Sequence, residues 1–265
     1  MAHTRAPAVA GYFYPADQNE LRTVVAEHLD AAVPLPAALC SRRAKAVVAP
    51  HAGYIYSGPI AGSAYGGVRR YHDVQRIVLL GPAHRALVQG LAASSAAAFA
   101  TPLGDVDVDR GSVDAALDLP QVHVDDEAHR LEHSLEVQLP FLQTVFPDVE
   151  IVPLAVGDAA TEAVAQVLDL LWGDAETLIV VSSDLSHYHD YATARRLDRA
   201  TADAIERLRP DALGRDSACG RNAVRGLLEV ARRRGLQAHT IDLRNSGDTA
   251  GPRDEVVGYG AFLFA

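Results

Sequence analysis

The sequence predicts a single-domain α/β fold with a mostly parallel sheet and helices on both faces. Short β-branched runs alternate along the chain with segments of helical spacing, which is typical of strand–helix–strand units. Three of these runs end in a turn signal followed by a histidine. No fixed-period repeat or low-complexity linker divides residues 1–265, so we count one domain.

Each of the three runs delivers a histidine to a loop: residues 47–49 lead to His51, residues 76–80 to His84, and residues 177–181 to His187. Asp184 lies in the last of these loops. In open α/β sheets, ligands bind at the carboxyl ends of the strands. We therefore expect these side chains to meet at one edge of the sheet, as a metal site or an acid/base site.

Periodicity and breakers predict the remaining elements in chain order. Helices are predicted over residues 18–32, 59–65, 113–117, 128–142, 161–172, 197–208 and 220–231. Further strands are predicted over residues 151–156, 238–243 and 256–264, with a short β segment near 101–108. The apolar residues within 87–100 follow neither the helical period nor the strand period, so the secondary structure of this segment is ambiguous. The glycines around residues 53–58 predict a loop before the second helix.

The segment 128–142 carries histidines and glutamates at helical spacing. His129 and Glu132 are three residues apart, as are His133 and Glu136, so one helical face would present them together. Such a face either lines a polar pocket or meets water.

Composition excludes several kinds of partner. The formal charge is -10, whereas nucleic acids and anionic membranes are bound by clustered Lys and Arg. No apolar run approaches the roughly 20 residues of a spanning helix, and the first residues lack the apolar part of a signal peptide. We therefore expect a cytoplasmic protein with no membrane or nucleic-acid partner, whose thiols stay reduced.

Cys219 and Gly220 lie where a helix is predicted to begin. Free backbone amides and the positive end of the helix dipole favour thiolate over thiol at such a position. The only other cysteine is Cys40, so there is no disulfide framework, although a single bridge is compatible with the sequence.

The types of ligand atom favour a single metal ion that is bound by side chains from separate loops and keeps open coordination positions for substrate. Neutral imidazole suits Zn, Cu and Fe, and thiolate is a softer ligand. The sequence has no Cys-x-x-Cys pair, His-Glu-x-x-His helix, Gly-x-Ser-x-Gly elbow or Walker loop, which excludes those familiar kinds of site.

Six motifs follow one another along the chain: residues 9–15 (Val-Ala-Gly-Tyr-Phe-Tyr-Pro), 50–58 (Pro-His-Ala-Gly-Tyr-Ile-Tyr-Ser-Gly), 80–84 (Leu-Gly-Pro-Ala-His), 132–141 (Glu-His-Ser-Leu-Glu-Val-Gln-Leu-Pro-Phe), 182–187 (Ser-Ser-Asp-Leu-Ser-His) and 219–220 (Cys-Gly). Together they resemble the MEMO family, whose bacterial and archaeal members are called AmmeMemoRadiSam system protein B. The resemblance covers essentially the whole chain. It implies a fold like that of the class III extradiol dioxygenases, which use non-haem Fe(II) to open catechol rings.

The resemblance also implies the roles of individual residues. His51, His84 and Cys219 would hold the metal, with Fe(II) expected first and Cu or Zn as alternatives. Asp184 and His187 would be catalytic, with His187 as the base that Asp184 orients.

Two further residues would lie close to the metal by the same resemblance. His133 is expected to be catalytic, and Glu132 to belong to the substrate pocket. We expect Tyr54 to line that pocket as well. The chain departs from related sequences at Ala83, where many carry serine, and at Arg85, where some carry histidine. A thiolate replaces the carboxylate ligand of the dioxygenases, so ring cleavage does not follow from the fold.

Three functions are compatible with these residues. The first is an iron-dependent oxidoreductase or redox protein in which His187 moves a proton. The second is a non-catalytic module that binds a protein or peptide, and the third is a zinc-dependent hydrolase. The partner would be a small molecule or a protein, and the resemblance implies a functional link with radical-SAM proteins.

Overall fold

The apolar runs of the sequence form the buried strands of the computed structural model, which describes residues 3–265. The strands are β1 (Thr4–Arg5), β2 (Ala46–Ala49), β3 (Arg76–Pro82), β4 (Leu91–Ala93), β5 (Ala98–Thr101), β6 (Gly104–Asp107), β7 (Val122–Val124), β8 (Glu150–Val156), β9 (Thr177–Ser182), β10 (His187–His189), β11 (Ala238–Asn245) and β12 (Val256–Phe264). The helices are α1 (Gln18–Asp30), α2 (Ala37–Cys40), α3 (Tyr54–Gly66), α4 (Arg110–Leu117), α5 (Asp126–Arg130), α6 (Leu139–Val145), α7 (Thr161–Leu170), α8 (Tyr191–Glu206) and α9 (Arg221–Arg233). The first two residues of the predicted domain lie outside the described part of the chain.

Within residues 3–265, the main sheet has nine strands in the order β10-β12-β2-β9-β3-β8-β4-β7, with β11 also paired to β12. Its centre, β2-β9-β3-β8, is entirely parallel. These four strands are almost completely buried and show no polar alternation, as expected for strands covered on both faces. The predicted α/β class is confirmed. The antiparallel flanks, where β12 joins β2 and β4 joins β8, were not predicted.

The register of the central strands brings three chain segments to one place. Ala49 of β2 pairs with Ser182 of β9, and Leu80 of β3 pairs with Val181 of the same strand. Because the three strands are parallel and end at nearly the same level, the chain leaves all of them at one edge of the sheet. The loops that carry His51, Asp184 and His84 begin there.

Two groups of helices cover the sheet. In the first, α3 packs against α1 so closely that a Cβ at Gly62 would lie 2.3 Å from the carbonyl oxygen of His28. In the second, α7 packs against α9, and a Cβ at Gly226 would lie 2.4 Å from Val164. Glycine is required at both crossings because any side chain would push the helices apart. No helix within residues 3–265 is both long enough and apolar enough to cross a membrane.

The helix predicted over 197–208 begins six residues earlier, at Tyr191, and two predictions of helical extent beside the candidate site are wrong. The chain becomes helical at Tyr54 directly after Gly53, so the predicted loop is the first turn of α3, and Pro59 lies inside the helix. The predicted helix over 128–142 is interrupted after α5. Between α5 and a short 3₁₀ turn (Glu136–Gln138), the carboxylate of Glu132 accepts the backbone N–H groups of the next two residues, at 2.9 Å each, and these bonds compete with helical ones.

Candidate metal centre

The structure brings the three predicted metal ligands together. His51, His84 and Cys219 each offer one ligand atom, and these atoms all lie within 4.8 Å of one another. The Nε2 atom of His51 is 3.3 Å from the Sγ atom of Cys219. Metal–nitrogen and metal–sulfur bonds of about 2.0–2.3 Å place such donors about 3.1–3.6 Å apart. The donor set therefore fits a single ion held from three loops.

The hydrogen bonds of Ser182 determine the tautomer of His51. The Ser182 hydroxyl donates to the carbonyl of Ser134 at 2.6 Å and accepts from Nε2 of Gln138 at 2.8 Å. Because its single hydrogen is used, it can only accept from Nδ1 of His51, at 2.8 Å. The proton of the imidazole therefore lies on Nδ1, and Nε2 presents its lone pair to the cluster. This atom is also the one nearest Cys219.

Glu132 holds His84 in the same manner. One carboxylate oxygen lies 2.9 Å from Nδ1 of the His84 ring, and the other accepts the backbone N–H of His84 at 2.5 Å. Glu132 is 1% exposed. Burial alone would raise its pKa, but hydrogen bonds from the His84 side chain and from backbone amides outweigh burial and lower the pKa to about 2. The ionised carboxylate orients the imidazole of a candidate ligand, an arrangement common around protein-bound metals.

Cys219 directly precedes Gly220, the N-cap of α9. The backbone N–H of Asp184 donates to its sulfur at 3.3 Å. Nevertheless, burial and the nearby carboxylate of Asp184 raise the pKa of the Cys219 thiol well above its usual range. The expectation that this position favours thiolate is wrong for the protein without metal, because burial outweighs the helix terminus. A metal ion would have to displace the proton when it binds.

Asp184 supports the loop of His51 instead of orienting His187. It is 4% exposed, and its Oδ1 accepts the backbone N–H of His51 at 2.7 Å. Burial raises the pKa of this carboxyl group. The ring of His187 is held by the carbonyl oxygen of Leu185, 2.8 Å from Nδ1. This contact places the proton on Nδ1 and leaves Nε2 of His187 able to accept a proton.

His133 stacks on the candidate ligand His84. The two ring centroids are 4.7 Å apart with planes at 16°, and the ring of Phe13 lies 4.7 Å from His133. Burial, followed by the neighbouring His51, lowers the pKa of His133 to about 4, so this ring is neutral near pH 7. Its buried Nδ1 has no hydrogen-bond partner among the described residues. His84, Glu132 and His133 also form a second group with metal-ligand spacing, but Glu132 is already occupied by its hydrogen bonds.

Tyr54 lies in the core, away from this cluster. It is 2% exposed, its hydroxyl donates to the carbonyl of Val137 at 2.7 Å, and its ring packs on Phe141. The structure does not bring Tyr54 to the cavity that borders the cluster. That cavity, of about 410 Å³, is lined by His84 and Cys219, and a smaller one of about 150 Å³ is lined by Cys219 and His187.

Sequence reasoning missed the residues that hold the ligands. Ser182 and Gln138 orient His51, and Phe13 covers His133. Each lies in a motif noted in the sequence, but neither serine nor glutamine suggests a metal site. The available signal was positional, because Ser182 is the last residue of a buried strand that ends beside the loop of His51.

A family model described as Memo-like protein matches residues 5–263. The chain belongs to the Memo family. Three relatives, each called a MEMO1 family protein, are similar over nearly their full length: 34% identity in Desulfurococcus amylolyticus, 35% in Archaeoglobus fulgidus and 36% in Aquifex aeolicus, covering 98% of this chain and 98–99% of theirs.

Membership of the Memo family confirms the resemblance seen in the six motifs. The family model also covers the loops that carry His51 and His84 and the turn that carries Cys219, because all of these residues lie within the matched range. The Memo name specifies no reaction, and any chemistry depends on the residues of the cluster.

Proposed function

We propose that this Memo-family chain is a redox protein or oxidoreductase whose Fe(II) ion is held by His51, His84 and Cys219. The observation that carries the proposal is the convergence of the three ligand atoms within 4.8 Å. Both imidazoles have Nδ1 engaged by the protein, so both have Nε2 available as a ligand. Two imidazoles and one thiolate also suit copper or zinc.

The choice of iron is supported by the likeness to the non-haem iron dioxygenases. When bound, iron would supply one-electron exchange and an electrophilic position for substrate. The chain itself would do the rest: Glu132 and Ser182 fix the two rings, and His187 holds or moves a proton at Nε2. A reducing compartment, as in the cytoplasm, would keep the Cys219 thiol available.

Anaerobic metal loading tests the proposal directly. Purified metal-free protein is incubated with Fe(II), Cu(I) or Zn(II), and bound metal is counted per chain. We expect about one iron per wild-type chain, and a large loss in His84→Ala and Cys219→Ser, because each removes one of three protein ligands. The matched controls are His123→Ala and Cys40→Ser, which change exposed residues of the same types and should load like wild type.

The other outcomes favour the alternative functions. Tight binding of zinc but not iron, together with a chelator-sensitive hydrolysis, would support a zinc hydrolase. Absence of any metal in wild type would contradict the proposal and favour a module that binds a protein or peptide. If iron binds, catechols and thiols with O2 are the first substrates to screen.

A further inference from the structure

The cavity beside the candidate metal ligands has a charged side and an apolar side. His84 and Cys219 border it, and its volume of about 410 Å³ is within the range that holds a small organic molecule. Apolar side chains form part of the wall, among them Ala86, Val88 and Val156. This cavity therefore offers a place for an apolar group next to the cluster.

Two arginines, Arg215 and Arg221, supply the charged side. Within residues 3–265, neither guanidinium group has a carboxylate oxygen within 4.0 Å, although most other arginines that are described have one. Asp158 is the one acidic residue in the described wall. With two arginines against one aspartate, the cavity is locally positive in a chain whose formal charge is -10. An unpaired guanidinium beside a cavity is well suited to bind a carboxylate or phosphate group.

The wall beside the arginines is held in place by a hydrogen bond and by a close approach between two backbone segments. Asn222 donates from Nδ2 to the carbonyl of Gly157 at 2.9 Å, which ties the start of α9 to the loop after β8. A Cβ at Gly157 would lie 1.9 Å from the carbonyl oxygen of Val88, so only glycine allows this approach. The cavity is thus bounded by two segments that are held together, the start of α9 and the loop after β8, and Arg221 lies in the first of them.

Arg215 brings its charge toward the cavity of His187, where Asp216 also lines the wall and partly offsets it. It borders both this cavity and the smaller one that contains His187, and Cys219 also lines both. A molecule whose acidic group met the arginines would therefore have its apolar part near the sulfur of Cys219.

We propose that this cavity binds a small organic acid, with its carboxylate or phosphate on Arg215 and Arg221 and its apolar body directed toward His84 and Cys219. The inference rests on the proposed metal centre for the position of the reacting end, but the binding of the acid does not require metal. It names the class of substrate that this site would take.

The test compares probes of similar shape and different charge. Benzoate, phenyl phosphate and the neutral benzamide are titrated into metal-free, ¹⁵N-labelled protein, and binding is followed at the amides of Gly157 and Ala223. We expect at least one of the two anions to bind about tenfold more tightly than benzamide. Comparison of benzoate with phenyl phosphate shows which acidic group is preferred.

The preference for anions should disappear in the double variant Arg215→Gln/Arg221→Gln. Arg215→Gln alone should reduce it, and this exposed position tolerates substitution if the double variant does not fold. The matched control is Arg69→Gln. Arg69 is an exposed arginine that follows the C-terminal end of α3, whereas His51 precedes the N-terminal end of that helix. Its preference should equal that of wild type.

Three results would overturn the inference: equal affinity for the anions and benzamide, an unchanged preference in the arginine variants, or no binding of any probe at about 10 mM. Failure of the proposed metal centre is distinguishable, because the same variants are loaded with Fe(II) separately. The arginine variants should load iron like wild type even though they no longer prefer anions.

Discussion

Glu132 and Glu136 lie four residues apart and are both buried, yet their surroundings give them different tasks. Glu136 is bound from the N-terminal segment: by the guanidinium of Arg5, by the hydroxyl of Tyr14 at 2.6 Å, and by two backbone amides at 2.7 and 2.9 Å. Glu132 instead bonds to His84 and to the amides of its own loop. The first carboxylate attaches a distant part of the chain, and the second orients a candidate ligand.

The comparison shows why burial of a charge does not by itself mark a functional residue. Arg5 neutralises Glu136 and also donates to the carbonyls of His129 and Glu132, so its network is closed within the protein. The network of Glu132 ends at His84, whose Nε2 has no hydrogen-bond partner among residues 3–265. Of these two buried carboxylates, the one that bonds to a candidate ligand belongs to the candidate site, and the one paired with Arg5 supports the fold.

The largest expected effect is on stability, at Glu136. Glu136→Ala leaves the guanidinium of Arg5 buried without its partner, which costs about 3–5 kcal/mol of unfolding free energy. Urea unfolding of the metal-free protein measures this change. Glu127→Ala, which removes an exposed carboxylate paired with Arg130, is the control and should change stability little. Equal losses in the two variants would contradict the supporting role of Glu136.

The second effect should appear in metal affinity, at Glu132. Glu132→Gln keeps the size of the side chain but removes the charge that holds the Nδ1 proton of His84. Loss of such an orienting carboxylate typically lowers metal affinity about 10- to 100-fold. Anaerobic competition with a chelator measures it. Glu136→Gln is the matched variant and should retain an affinity close to that of wild type; a similar loss in both would remove the distinction between the two carboxylates.

Ser182 tests the corresponding support of His51. Ser182→Ala leaves the Nδ1 proton of His51 without an acceptor and frees the ring to adopt the other tautomer. We expect metal affinity to fall about tenfold, measured by the same competition. Ser63→Ala is the control: this buried serine lies in α3 and its hydroxyl bonds to the carboxylate of Asp242 at 2.8 Å, so affinity should stay close to that of wild type. An unchanged affinity in Ser182→Ala would show that His51 needs no such partner.

The smallest effect concerns pH and His129, whose carbonyl accepts from Arg5 and whose buried Nδ1 has no hydrogen-bond partner among the described residues. Burial lowers the pKa of His129 below its ordinary value. Acidification therefore protonates the unfolded chain first, and folding stability decreases as pH falls below about 6.5. This group should contribute to the loss of stability between pH 6.5 and pH 5.5. Urea unfolding at both pH values should show a smaller loss in His129→Gln than in wild type; equal losses would contradict the assignment.

Much of the fold could be predicted because its central strands are continuous apolar runs bounded by turn signals. The same runs placed His51 and His84 at one edge, since parallel strands end together. The interrupted segment around Glu132 could not be predicted, because spacings of three and four residues fit a helix whether or not a carboxylate turns back onto the backbone. The raised pKa of the Cys219 thiol could not be predicted either, because it depends on burial that only the folded chain creates.

The prediction that Tyr54 lines the substrate pocket requires residues 53–58 to form a loop. Helix α3 begins at this residue and turns its ring into the core, where it donates a hydrogen bond to Val137. The aromatic residue that does lie beside the site, Phe13, comes from the segment attached by Glu136. Such long-range contacts have no local signature in the sequence.

The most direct test of the central claim is X-ray absorption at the iron edge of the anaerobically loaded protein. We predict one sulfur and two imidazole ligands from the protein per iron, with the sulfur signal lost in Cys219→Ser and kept in Cys40→Ser. Iron surrounded only by oxygen and nitrogen in the wild-type protein would contradict it.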